Sequence, residues 1–135
     1  MGGCETIVKK LFIDEGLLLT DMEVTYKGKS LLLKRVLVDT GSGSTIIKMD
    51  LAESIGIVDE ENDMIYRISG VGGSEFVFSK TIDSIKIGEK EAGHFTVEIG
   101  AMDYGFELDG IIGLDLLQQK KSIINLDKLI IECDC

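Results

Sequence analysis

Between residues 18 and 26 the even-numbered positions are mostly apolar (Leu18, Met22, Val24, Tyr26), and Asp21, Glu23 and Thr25 between them are polar. A two-residue period predicts a half-buried strand. Lys27-Gly28 then offers a tight turn, and residues 30–38 form a second strand. Its end, Val36-Leu37-Val38, is apolar on both faces, as in the centre of a sheet. That central strand runs straight into Asp39. Further along, Asp50 is expected to cap a short helix with Glu53 three positions on. Leu51, Ala52 and Ile55 supply the apolar stripe of that helix and Gly56 its end. Residues 64–79 read as a hairpin, Tyr66 and Ile68 in one arm and Phe76 and Phe78 in the other. Ser69-Gly70-Val71-Gly72-Gly73 joins the arms, and its glycines predict a mobile tip. Strands are expected at 84–87 and 94–99 around a Gly88-Glu89 turn. Asp109-Gly110-Ile111-Ile112-Gly113 reads as a short buried strand leading into a helix from Leu114 to about Lys120. Lys120 and Lys121 complement the dipole at the end of that helix. A hairpin of 122–125 and 129–133 closes the chain. The sum is all-β with two short helices, which excludes a doubly wound nucleotide-binding fold.

The chain of 135 residues suits one domain, 1–135, able to bury roughly two-thirds of its unfolded surface. Zero Pro and 16 Gly point to many turns, and no apolar run approaches the ~20 residues of a membrane span. The formal charge of -10 opposes phosphate backbones and anionic lipid, so nucleic acid is not an expected partner. Three cysteines, Cys4, Cys133 and Cys135, with no apolar leader before them, suggest reduced thiols in a cytoplasmic setting. They and His94 lack the paired C-x-x-C spacing of a zinc site, and neither metal nor cofactor is expected. Met1-Gly2-Gly3-Cys4-Glu5-Thr6 fits an N-acylation pattern so loose that a plain start is the simpler expectation.

The chemistry concentrates at Asp39-Thr40-Gly41-Ser42. A carboxylate directly after a buried strand is held in place, a glycine lets the backbone turn sharply, and two hydroxyls stand within reach of the acid. Taken alone, such a tripeptide could be an ordinary turn. Three features in fixed order say more: the acid loop at residue 39, a glycine-rich hairpin, and a buried Ile-Ile-Gly strand entering a helix. Together they resemble the retropepsin-like family of aspartic proteases. The family's acid motif matches residues 36–42, its flap matches Ile68-Ser69-Gly70-Val71-Gly72-Gly73, and its late strand matches Ile111-Ile112-Gly113. The likeness runs roughly from residue 18 to 133 and leaves residues 1–11 unassigned.

What the resemblance implies is a closed, barrel-like domain with a flap hairpin. Family chemistry needs two Asp-Thr-Gly loops face to face, and this chain has one. The resemblance therefore implies a homodimer with Asp39 of each subunit on the twofold axis. Two close carboxylates cannot both ionise cheaply and share a proton, as aspartic proteases are well known to show. One Asp39 would activate a water while its protonated copy hydrogen-bonds the scissile carbonyl of a peptide or protein substrate. By the same resemblance Thr40 would bond across the axis, Gly41 would allow close approach of the substrate, and Ser42 would meet the outer carboxylate oxygen. The flap, with Ile68, Ser69, Gly70, Val71, Gly72 and Gly73, would pair with the peptide as an added strand. Ile111 and Ile112 would pack beneath the acid loop and reach the substrate pockets. Asp115 reads as a helix-start acid and His94 as structural. Leu114 stands where viral members carry an Arg or Asn that ties the dimer, and Ser42 replaces the viral Ala. The first leaves that subunit contact without its usual residue, and the second resembles cellular and bacterial relatives. The alternative is a non-catalytic dimerisation or peptide-binding module of the same fold.

Overall fold

The computed structural model describes residues 7–70, 73–105 and 107–133. Eleven strands and two helices follow in order: β1 (Ile7–Lys10), β2 (Phe12–Asp14), β3 (Leu17–Tyr26), β4 (Lys29–Val38), β5 (Ile46–Lys48), α1 (Met49–Glu53), β6 (Ile65–Gly70), β7 (Gly73–Ile87), β8 (Lys90–Gly100), β9 (Gly110–Ile112), α2 (Leu114–Gln119), β10 (Ser122–Asn125) and β11 (Ile130–Cys133). The N-acylation pattern at residues 1–6 lies outside the described residues, as do Val71, Gly72 and Cys135.

β3 and β4 form the expected hairpin, with Tyr26 opposite Lys29 and both Lys27 (φ 48°) and Gly28 (φ 81°) left-handed. Two consecutive positive φ values make the two-residue turn whose twist matches that of the strands. The large sheet runs β2-β3-β4-β9-β5-β8-β7-β6, and a further β3–β7 pairing, Val24 opposite Ile85, closes it into a barrel. Closure is why the apolar face of β3 is buried along its length.

Three local expectations are corrected. β7 is one strand of 15 residues, not a hairpin arm followed by a separate strand. Residues 80–83 look like a break because Lys80 and Asp83 are charged. Pairing with β8 nevertheless persists through Lys80↔Val97 and Ile82↔Phe95. The α1 helix starts at Met49, with extended Lys48 at its N-cap and no side-chain cap. Because β5 runs directly into the helix, Asp50 lies inside the first turn. The helix end is as expected: the Gly56 N–H bonds the Glu53 carbonyl at 3.0 Å, and Gly56 takes φ +87°. Finally, the unassigned N-terminal segment includes β1, which pairs with β11 antiparallel, Val8 opposite Glu132. With β10 on the other side, the terminal strands form a small sheet within one chain.

The core has two parts. The larger includes Met22, Leu33, Ile47, Ile82, Ile99 and Ile112, each such buried side chain being worth about 1.5–3 kcal/mol. The smaller holds Leu19, Ile46, Met102, Leu108 and Ile111. No helix among the described residues is long and apolar enough to cross a membrane.

Candidate active site

β9 lies between β4, which it parallels, and β5, which it opposes. β4 and β5 are therefore not neighbours, and residues 39–45 must bridge the end of β9 to connect them. This bridge is bonded to β9 and α2 at every stage. The Asp39 N–H donates to the Ile112 carbonyl at 3.0 Å, and the Leu114 N–H donates to the Ser42 carbonyl at 2.7 Å. The Gly113 N–H donates to Thr45 Oγ1 at 3.1 Å, and that hydroxyl donates in turn to Asp115 Oδ1 at 2.8 Å. Asp115 Oδ2 also accepts the Thr45 N–H at 3.2 Å. Thr45 is wholly buried, so each of its polar atoms needs such a partner.

Gly113 is the residue that permits this closeness. A Cβ placed there would stand 2.4 Å from the Ser44 carbonyl oxygen and 3.0 Å from that of Ser42. No side chain fits. The glycine of the Ile-Ile-Gly strand thus serves the acid loop across the junction, and not only the turn into α2.

Within the bridge, Asp39 is half-buried and Thr40 and Gly41 are exposed at its tip. Asp39 Oδ1 accepts the Gly41 N–H at 2.9 Å, and the Asp39 carbonyl accepts the Ser42 N–H at 3.1 Å. The carboxyl is thereby oriented by its own turn. Ser42 departs from expectation: its hydroxyl donates to the Ser44 carbonyl at 2.8 Å, so the loop's backbone and not the acid receives it. Thr40 faces a surface groove of about 450 Å³ that Leu114, Leu117 and Ile124 also line.

Ile111 belongs to the smaller apolar cluster, against which Leu37 and Ile68 pack. Leu37 precedes Asp39 by two residues on β4, so the acid, β9 and the β6 arm of the hairpin converge on this cluster. Ile112, by contrast, is fully buried in the larger core and supports the site from beneath without surface of its own. Ser69 and Gly70 pair with Ser74 and Gly73 across the hairpin, and Val71 and Gly72 fall outside the described residues. The hairpin's arms are tied down by side chains. The Tyr66 hydroxyl donates to Glu98 and lies 2.9 Å from Ser79 Oγ. Burial first, and then the bond to Glu98, push the Tyr66 phenol above its usual range. Lys80 Nζ contacts Asp63 at 2.6 Å and Glu60 at 3.4 Å. Burial opposes the Lys80 charge, but these two carboxylates outweigh it and raise its pKa.

Nothing in the sequence singles out Thr45, and Asp115 reads there only as a helix-start acid. A Thr opening an apolar pair and an acid after Gly-Leu are weak signals that gain meaning only when the two loops meet. His94 is exposed on β8. Among the described residues no cluster of His, Cys, Asp or Glu is placed to hold a metal.

A family model described as aspartyl protease matches residues 22–116, a span holding the Asp39 loop, the hairpin and β9. Among solved structures, the fold is similar to that of a retropepsin-like aspartic protease from Rickettsia conorii. The TM-score is 0.67, over 100% of this chain and 98% of that one, at 20% identity. The likeness is thus one of fold. Comparison with curated protein sequences gives no match.

Proposed function

The chain belongs to the aspartyl protease family, and from that premise we propose that it is an aspartic endopeptidase whose active site forms between two copies of itself. The observation that carries this reading is the setting of Asp39. One such half-buried carboxyl per chain sits beside an exposed loop tip, oriented by the Gly41 N–H and backed by hydrogen bonds from the loop to the end of β9 and the start of α2. Such rigidity suits an acid that must meet a symmetric copy at close range.

In the assembled site one ionised Asp39 takes a proton from a water held between the two carboxyls. The other, protonated, donates to the scissile carbonyl as negative charge develops there. Thr40 bonds across the axis, and Gly41 leaves room for the peptide backbone. The hairpin of residues 68–73 pairs with the extended peptide, and Ile68 and Ile111 receive an apolar side chain beside the cleaved bond. The groove by Thr40, with partly exposed Leu114 where viral relatives carry a polar tie, accepts the partner through apolar contact. A reducing, cytoplasmic setting suits Cys133, a buried thiol with no disulfide partner among the described residues, and the charge of -10 disfavours nucleic acid.

Asp39→Asn tests the mechanism. Peptide cleavage is expected to fall by at least about a thousandfold, the scale of lost acid–base catalysis, with the sedimenting mass unchanged. Persisting cleavage refutes the role of Asp39. Activity per chain that stays constant on dilution into a monomeric range refutes the shared site. A protein that binds extended peptides and cleaves none is the non-catalytic module instead. A statine-type inhibitor, which imitates the tetrahedral intermediate, is expected to bind the wild type.

A further inference from the structure

One side chain joins the hairpin to the loop that follows β8. Glu75, on β7, accepts the Tyr104 hydroxyl on Oε1 and the Met102 backbone N–H on Oε2, the latter at 3.0 Å. Glu75 stands opposite Ile68 in the β6–β7 register, so the residue that grips the loop sits beside the one that packs on the smaller apolar cluster. The contact is built into the backbone as well. Met102 holds φ +57°, a left-handed conformation uncommon outside glycine, at the position whose N–H the carboxylate takes. Gly100 leaves the space: a Cβ there would meet the Glu75 carboxyl carbon at 3.2 Å and Val77 Cγ1 at 3.0 Å. Met102 and Tyr104 themselves belong to or pack against the cluster of Ile46 and Ile111. Burial, and then Glu75, hold the Tyr104 phenol above its usual range, in keeping with a hydroxyl that donates to Glu75.

We infer that Glu75 and Tyr104 form a clasp that joins the hairpin and residues 101–105 into one wall of the substrate groove and sets the distance of Ile68 from Ile111. They are positioning residues for the apolar substrate side chain and touch no reacting atom. The inference rests on the reading of Asp39 as catalytic, since only then is the cluster a substrate pocket.

Tyr104→Phe removes the hydroxyl and keeps the ring. The KM for an extended apolar peptide is expected to rise about tenfold with kcat within about twofold, the scale of one hydrogen bond to a charged acceptor spent on binding. Amide exchange is expected to quicken in residues 65–70 and 101–105 together. Glu75→Gln can keep both contacts, its carboxamide oxygen accepting the Met102 N–H and its nitrogen donating to the phenol oxygen. That variant should stay within about threefold of wild type, whereas Glu75→Leu should match or exceed Tyr104→Phe. An unchanged KM in Tyr104→Phe, or a Glu75→Gln as impaired as Glu75→Leu, overturns the clasp. If the wild type cleaves nothing, the reading of Asp39 has failed, and exchange alone decides the clasp: faster in both segments supports it, unchanged in either refutes it.

Discussion

The Asp39 loop and the β6–β7 hairpin approach the same small apolar cluster, yet they are held by different means. The loop is held largely through its backbone, with Asp39, Ser42, Gly113 and Leu114 all bonded through main-chain atoms and one buried hydroxyl, that of Thr45, at the centre. The hairpin's β7 arm joins the main-chain ladder of β8 only from Val77 onward, and towards its tip the hairpin is held by side chains, Tyr66 on Glu98 and Glu75 on Tyr104, with Lys80 on Asp63 further down the arm. Main-chain bonds survive most substitutions, but each side-chain tie disappears with a single one. The acid is therefore fixed by the fold, and the wall above it can be adjusted residue by residue. An enzyme that needs an invariant catalytic geometry and a selectable pocket would place its constraints in this way.

Substitutions can break this contrast at either end. Gly113→Ala forces a Cβ into the Ser44 carbonyl and is expected to cost at least about 3 kcal/mol, read as a lowered urea midpoint and a loss of cleavage. A stable, active variant would mean that the junction yields more readily than its contacts imply. Thr45→Val keeps the shape and leaves the Gly113 N–H and Asp115 short of a partner, for about 2 kcal/mol in the same measurement. On the hairpin side, Tyr66→Phe leaves Glu98 with Ser79 and is expected to cost only about 1 kcal/mol. Its main sign should be faster exchange in residues 65–70 with the Asp39 loop unchanged. If exchange in the loop quickens as well, the two regions are not separately held.

The smallest effect is set by pH. Hydrogen bonds from Lys80, and then from the Glu60 N–H, keep the Asp63 carboxyl below its usual range. A carboxyl depressed on folding adds stability above its unfolded value of about 4, and that contribution is lost as pH falls through the lower folded value. Chemical denaturation at about pH 5 and about pH 3 should therefore show wild type losing slightly more stability than Asp63→Asn. An equal loss in both would remove Asp63 from the hairpin's support.

Much of the barrel was legible from local pattern. The alternation from Leu18 to Tyr26, the turn at Lys27-Gly28 and the doubly apolar Val36-Leu37-Val38 each depend on neighbours in sequence, and each is found where expected. β5 was not legible. Ile46-Ile47-Lys48 is too short to show a period, and its strand character comes from β8 on one side and β9 on the other. The continuity of β7 through Lys80 was hidden for a similar reason, because the charge that suggests a break is answered by Asp63 and Glu60 on a distant loop. Of the site, the position of Asp39 was readable, but the partner of Ser42 was not. The choice between the acid and the Ser44 carbonyl depends on how the bridge curves over β9.

From the residues alone came an acid at the end of a central strand, one such acid per chain, a hairpin rich in glycine and an all-β architecture, because these follow from periods and neighbours a few positions apart. Tertiary structure decided what holds the acid and what borders it. The Thr45 and Asp115 hydrogen bonds, the room left by Gly113 and Gly100, and the packing of Ile68 on the cluster that holds Ile111 all join segments tens of residues apart in the chain. Their chemistry exists only once barrel closure brings those segments within hydrogen-bond or van der Waals distance, and no local pattern encodes that distance.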